Sequence, residues 1–561
     1  MGEGSSCSDM AYLYGKTERR KTMLRPHKCL PLVVSLTVAL SIVVGACAAP
    51  PTPTPAPTLP PTKAPAVPAP TPTTVAKPQP TGKLVAVRQD EPPTLDWKDI
   101  TNEPQTFVSW SIMEGLTNKD PRSGKVLPVL AESWTWDKAN TWTFKLRKGV
   151  KFHNGEPFNA EAVVYTFQRI ADTAEAAQLA QHLLNMESVK ALDDYTVEVR
   201  HKTPDPIFDA RAQFLKIGAP KFSKENRDKL ATTLIGTGPY KFVEWQKGQF
   251  FKMTANEDYW GEMPKIKDIT VLYRAEPTVR AAMVRTGEAD LAWTINPEDI
   301  PNVPKAVQYQ DLRTICIRVD TTGQNPALAD ARVRQAMLYA VDMKTVTETM
   351  FKNVAVQVKG NQQVAPAVLG YDPNMNPWPY DPDKAKKLLA EAKAAGVPIE
   401  TPMTMIERGI GWFPRDNEFA EYLVNSWNKI GLNVKLVVLE SAAWVALLGA
   451  IKPEDKHADL LYMLHSVELM DYSHSADRFF YSNARFSLWK DQKTDEMLKA
   501  AAQLTGEERI KAYQEVAHYL KDKLPFFVFG SLIQTHGTNA KLQWTPRPDG
   551  VPTFWEMSFS N

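Results

Sequence analysis

Thr143-Phe-Lys-Leu-Arg-Lys-Gly-Val-Lys-Phe-His-Asn-Gly-Glu-Pro-Phe-Asn-Ala-Glu161 holds a strand, a tight turn and a helix start in one short stretch. Around its beginning, Trp142, Phe144 and Leu146 alternate with polar neighbours, the period-two pattern of a half-buried strand. Asn154-Gly155 is a turn pair in which glycine supplies the positive φ. Asn159 then stands as a cap before Val163, Phe167 and Ile170 at helical spacing. His153 sits in the turn with no second histidine beside it, so packing is read in preference to metal ligation.

The same alternation continues outward. Lys83–Val87, Tyr195–Arg200, Ile269–Tyr273, Ala289–Trp293, Asn433–Leu439 and Phe526–Phe529 read as strands. Pro104–Leu116, Pro277–Thr286, Asp330–Tyr339, Asp342–Phe351, Asp381–Ala395, Glu418–Ile430 and Glu508–Lys521 read as helices. Gly236 and Gly238 before Pro239 mark a constrained turn into a strand. Interleaved strands and helices indicate an α/β architecture, with no repeat of fixed period.

A chain of 561 residues needs more than one core. The formal charge of +2 argues against a nucleic-acid binder, which carries a basic face. The 15 Trp and 17 Tyr suit a large core or a binding cleft, where aromatics give contact area at low entropic cost. Cys7, Cys29, Cys47 and Cys316 form no zinc or disulfide pattern, and Cys316 in the apolar run Thr314–Val319 reads as a buried thiol. The G-x-S-x-G, H-E-x-x-H, S-x-x-K and G-x-G-x-x-G signatures do not occur in their required context, so no enzyme, no catalytic residue and no cofactor is expected. None of the nine histidines form an i,i+4 pair, and no metal site is expected, although His457, His465 and His474 cluster in sequence.

Residues 1–46 read as a secretory signal whose working start is Met23. Arg25, His27 and Lys28 precede an apolar run from Leu30 to Val44, and Val44-Gly45-Ala46-Cys47 resembles the bacterial lipobox, making Cys47 the lipidation site. An uncleaved membrane span is the competing reading, weakened by Pro31, Ser35, Thr37 and Ser41. Residues 47–82 then form the lipidated cysteine and a Pro/Thr/Ala linker that favours extended polyproline II. At ~3.1 Å per residue such a tether reaches on the order of 100 Å from a membrane. The same composition also suits a ligand for a peptide-recognition domain.

Further blocks extend the opening stretch into a recognisable series. They are Leu127–Trp134, Gly236-Thr-Gly-Pro-Tyr240, Asn256-Glu-Asp-Tyr-Trp260, Arg285–Asp290, Val333–Asp342, Tyr380–Leu389 and Trp427–Val434. In this order they resemble the family-5 extracellular solute-binding proteins, the dipeptide, oligopeptide and nickel-binding group. The resemblance implies a two-lobed, periplasmic-binding-protein-like α/β fold (class II, cluster C type) with an extra subdomain inserted in lobe I. By that analogy lobe I covers 83–122, 204–312 and 525–561, the insert 123–203 and lobe II 313–524. It also implies capture of a small peptide for an ABC permease and ATPase by a monomer that is anchored outside the cytoplasmic membrane and binds no nucleic acid.

The resemblance places a peptide's α-ammonium against Asp471, with Tyr472 beside it, although Ser473-His474 stands where peptide binders often carry an aromatic and a proline. Asp471 is equally suited to capping a turn or helix. Thr101, Asn102 and Glu103 align with a cleft-facing loop, and Trp412 and Phe413, between Gly409 and Pro414, suit an aromatic wall or a self-packed surface loop. The rival functions are a nickel-chelate or other small-solute binder, a ligand-sensing receptor on the same fold, and a lipid-anchored hydrolase.

Overall fold

A computed structural model describes residues 79–560 apart from 101–102, 176, 353–354, 410–412 and 450–457. The signal segment, Cys47, the linker, Thr101, Asn102, Trp412 and His457 therefore lie outside the described residues. The chain divides into Met1–Thr74 and Val75–Asn561, and everything below concerns the second unit. No helix among the described residues is long and apolar enough to cross a membrane.

Trp142, Phe144 and Leu146 do share one buried face of the strand Thr141–Leu146. That strand joins Ala131–Trp136, Thr196–His201 and Met186–Asp193 in a four-stranded antiparallel sheet. The helix Ala160–Ala171 packs onto the sheet with Val163, Phe167 and Ile170 inward, and the Asn159 side chain accepts the Ala162 N–H at its start. Gly155 has φ +88° in the intervening turn. His153 is pinned between two backbone groups, Nε2 at 3.0 Å from the Gly238 carbonyl and Nδ1 accepting from Gly236 N at 3.4 Å. Burial pushes its imidazole down to about 4, so it is neutral and structural. Gly236 is required by close approach: a Cβ there would stand 2.0 Å from the Ile112 carbonyl oxygen.

An 11-stranded sheet runs through the rest of the described residues. Val434–Leu439, Met403–Arg408 and Leu460–Ser466 form its second-lobe end. Leu291–Ala292, Thr81–Arg88, Ile266–Tyr273, Phe250–Ala255 and Tyr240–Gln246 form its first-lobe end. Two long antiparallel strands, Lys305–Val319 and Phe526–Thr538, stand between these ends and pass through both lobes. Their register slips between Gln310 and Thr314, where the strand pair passes from one lobe to the other.

The cores follow this division. Leu84, Phe107, Ile112, Phe251, Trp293 and Phe554 pack in the first lobe, continuous with the insert. The second-lobe sheet is covered on both faces, by Leu423, Trp427 and Phe527 on one side and by Tyr472, Phe480 and Tyr513 on the other. Strands buried on both faces read as unbroken apolar runs, as Phe526–Phe529 does. Phe527 and Phe529 pack in one of these cores, and Phe526 and Val528 in the other.

Candidate functional site

Where the two lobes meet on the hinge side, Glu103 begins the helix Glu103–Ser109. Its Oε1 accepts from Trp293 Nε1 at 2.7 Å and its Oε2 from Arg313 Nη1 at 3.3 Å. Arg313 is a second-lobe side chain on the long strand, so this is an ion pair between lobes. Arg88 donates to the Glu103 carbonyl at 3.4 Å and lies over the Phe107 ring at 4.6 Å. Burial works against the Glu103 charge, but Arg313, Arg88 and the Trp293 N–H outweigh it and hold the carboxyl below its ordinary range. Trp293 stacks on His536 with centroids 4.0 Å apart, and His536 Nδ1 accepts from Thr294 N at 3.0 Å. Thr294 has φ +54°, left-handed backbone that costs a non-glycine residue energy and collects at binding sites. Glu103, Trp293, Thr294, Arg313, Phe413 and Gln534 line a pocket of about 40 Å³.

A second junction lies on the segment Ser466–Tyr472. Asp471 is buried, and both of its carboxylate oxygens face Arg509, with Nε–Oδ2 2.9 Å and Nη2–Oδ1 2.8 Å. Oδ1 also accepts from Ser473 N at 3.0 Å. Burial disfavours the charged carboxylate, yet the Arg509 hydrogen bonds and charge prevail and hold it at about 2. From the first lobe, Lys119 reaches across to donate to the Leu469 carbonyl at 2.9 Å and the Met470 carbonyl at 3.3 Å. Burial lowers the affinity of that ammonium for its proton, and the nearby Asp471 and Asp209 partly restore it. Tyr472 points into the core: its hydroxyl donates to Gln363 Oε1 at 2.9 Å and its ring stacks on Tyr513.

Beyond this segment a cavity of about 430 Å³ opens between the insert and the second lobe. That volume is ordinary for a small-molecule site. Five cationic side chains line it (Arg211, Arg478, Arg485, Lys499 and Arg509) against the two carboxylates Asp205 and Asp477. Arg211 takes both carboxylates, at 3.3 Å to Asp205 and 3.2 Å to Asp477, and so ties the first lobe to the second. Arg478 Nη2 donates to Gln181 Oε1 at 3.3 Å, a second tie. His474 Nε2 lies 3.1 Å from Glu468 Oε2, and with Arg478 it holds that partly exposed carboxyl near 2.

The structure therefore brings Glu103 and Phe413 together in one pocket and separates them from Asp471 and Tyr472. The expected ammonium anchor is corrected in one respect: a cation of the chain itself, Arg509, already fills both oxygens of Asp471. Asp471 also caps the turn at Ser473, the other reading of that residue. Sequence reasoning missed Lys119, Arg313 and Arg509. Arg509 lies in a polar helical stretch with no local sign of burial, and Lys119 meets its partners 350 residues away.

Two α/β lobes joined by paired strands and meeting around a cavity define the class of two-lobed solute-binding proteins. Residues 125–483 match the bacterial extracellular solute-binding proteins, family 5, and the chain belongs to that family. Among curated relatives, di/tripeptide-binding protein 2 of Pseudomonas aeruginosa is 27% identical over 451 residues, covering 72% of this chain and 81% of that protein. The glutathione-binding protein GsiB of Escherichia coli is 32% identical over 310 residues, 53% of this chain and 59% of that protein. Among solved structures, DppA of Helicobacter pylori in complex with the peptide STSA matches with TM-score 0.73 and 23% identity, over 86% of this chain and 98% of that one. HbpA2 of Haemophilus parasuis matches with TM-score 0.73 and 26% identity, over 86% and 100%.

Proposed function

We propose that the chain is the solute-capturing component of an ABC-type importer, closing its two lobes around a peptide or peptide-like compound without making or breaking a bond in it. Family membership carries the reading, and relatives named for di/tripeptide and glutathione binding favour a peptide. Three cross-lobe ties, Glu103–Arg313, Lys119 to Leu469 and Met470, and Arg211–Asp477, are the contacts that such closure makes and releases. Glu103 and Phe413 face the solute on the hinge side, with Thr101, Asn102 and Trp412 assigned beside them from their places in the sequence. Asp471 and Tyr472 hold the segment that faces it. The protein works as a monomer outside the cytoplasmic membrane, tethered through lipid on Cys47.

Calorimetric titration with mixed di- and tripeptides tests capture: saturable heat at one site per chain is expected, and no binding by any pool removes the peptide reading. Cys47→Ala is expected to move the chain from the membrane pellet to the soluble fraction. Retention of this variant in the pellet would favour the uncleaved span.

A further inference from the structure

We infer that the solute is anionic, recognised through an extra carboxylate by the cationic wall of the cavity between the insert and the second lobe. This deepens the proposed function and rests on its site.

The inference comes from following where each charge at the site is spent. The carboxylates that could draw in a cationic solute are engaged by side chains of the protein. Asp471 is held bidentately by Arg509 at 2.8 and 2.9 Å, with the Lys119 ammonium seated on the two carbonyls just before it. Asp205 and Asp477 both go to Arg211. Glu468 has the His474 imidazole at 3.1 Å and lies in the field of Arg478. Among the described residues, every carboxylate lining the cavity already holds a cation of the chain, Asp205 and Asp477 sharing one.

The cations divide differently. Arg509 and Arg211 are spent, and among the described residues the Arg478 side chain has only the neutral Gln181 as its hydrogen-bond partner. Arg485 and Lys499 also line the cavity, and among the described residues neither is ion-paired to a carboxylate. Arg485 lies over the Phe486 ring at 5.1 Å, which leaves the guanidinium edge open to an acceptor. A concave wall with unmatched positive charge focuses the field into the cavity and favours a carboxylate, which a guanidinium grips with two parallel hydrogen bonds. Gln181 supplies a neutral amide opposite, suited to a peptide amide.

Calorimetry on the full chain at low ionic strength tests this with Ala-Glu-Ala, Ala-Ala-Ala, Ala-Lys-Ala, glutarate and inorganic phosphate. Ala-Glu-Ala is expected to bind at least about tenfold more tightly than Ala-Lys-Ala, the size of one charge-assisted contact. The double variant R485Q/K499Q, two exposed positions whose change leaves the fold intact, is expected to erase that preference while Ala-Ala-Ala binding persists. Equal affinity for the three peptides, or a preference that survives in the double variant, overturns the inference and leaves peptide capture standing. Binding of glutarate or phosphate with no peptide bound, lost in R485Q/K499Q, upholds the anion site and overturns the peptide reading. Silence from all five probes overturns both.

Discussion

Arg509→Met is expected to lower the unfolding free energy by about 3–5 kcal/mol, the cost of leaving one partner of a buried ion pair alone. Asp471 is only 2% exposed, so water cannot replace the lost guanidinium. The lost arginine also donates to the Ala501, Ala502 and Leu504 carbonyls, which anchor the helix end ahead of Gly506–Leu520. The paired change Asp471→Leu with Arg509→Met is expected to recover part of the loss, because it removes the orphaned charge as well. Urea denaturation of the three variants checks this, and a double variant as unstable as the two single losses combined would show that the pair is not coupled. The same pair gives a pH signature. The Asp471 carboxyl is held at about 2 in the folded chain, below its unfolded value of roughly 3.9, so its contribution is complete above pH 4 and drains away as pH falls towards 2.

Lys119→Met is expected to open the ligand-free protein. Its ammonium makes charge-assisted hydrogen bonds to two carbonyls of the opposite lobe, and such bonds contribute about 1.5–3 kcal/mol each at most when dry. The loss of one such contribution alone shifts the ratio of closed to open forms by about ten- to a hundredfold. Methionine keeps the apolar stem, so folding stability should move little while the distance between the insert and the second lobe grows. Small-angle scattering, or a fluorophore pair at Leu184 and Glu496, reads that distance directly. An unchanged profile in the variant would mean that Lys119 does not latch the lobes.

Local signals were legible wherever neighbours in the sequence decide the outcome. The alternation through Trp142, Phe144 and Leu146, the Asn159 cap and the helix that starts after Asp381 all rest on contacts within a few residues. Pro104–Leu116 failed as a continuous helix for a reason that no local pattern carries. The helix stops at Ser109, and Gly115 lies so close to the 212–213 backbone that a Cβ would meet the Ala212 oxygen at 2.6 Å. The long strands were read only in part, because the half from Lys305 to Gln310, held by pairing with Ile533–Thr538, has only Val307 and Tyr309 as large apolar residues to mark it.

The candidate site followed the same divide. Glu103 was offered by the loop the resemblance points to, and Phe413 by its place between Gly409 and Pro414. The meaning of Asp471 was not, because a carboxylate in a sequence carries no mark of the cation that will neutralise it. Arg509, 38 residues later, settles that only after the helix Gly506–Leu520 has packed.

The connection between the lobes has a mechanical consequence. Two ladder-bonded strands resist shear along their length and rotation out of register, but they bend easily where pairing is already broken. With the slip at Gln310–Thr314, the soft direction is a single flexing angle, and the lobes can swing without sliding past each other. A partner on the membrane could then tell a loaded molecule from an empty one by a single quantity, the spacing between two rigid surfaces.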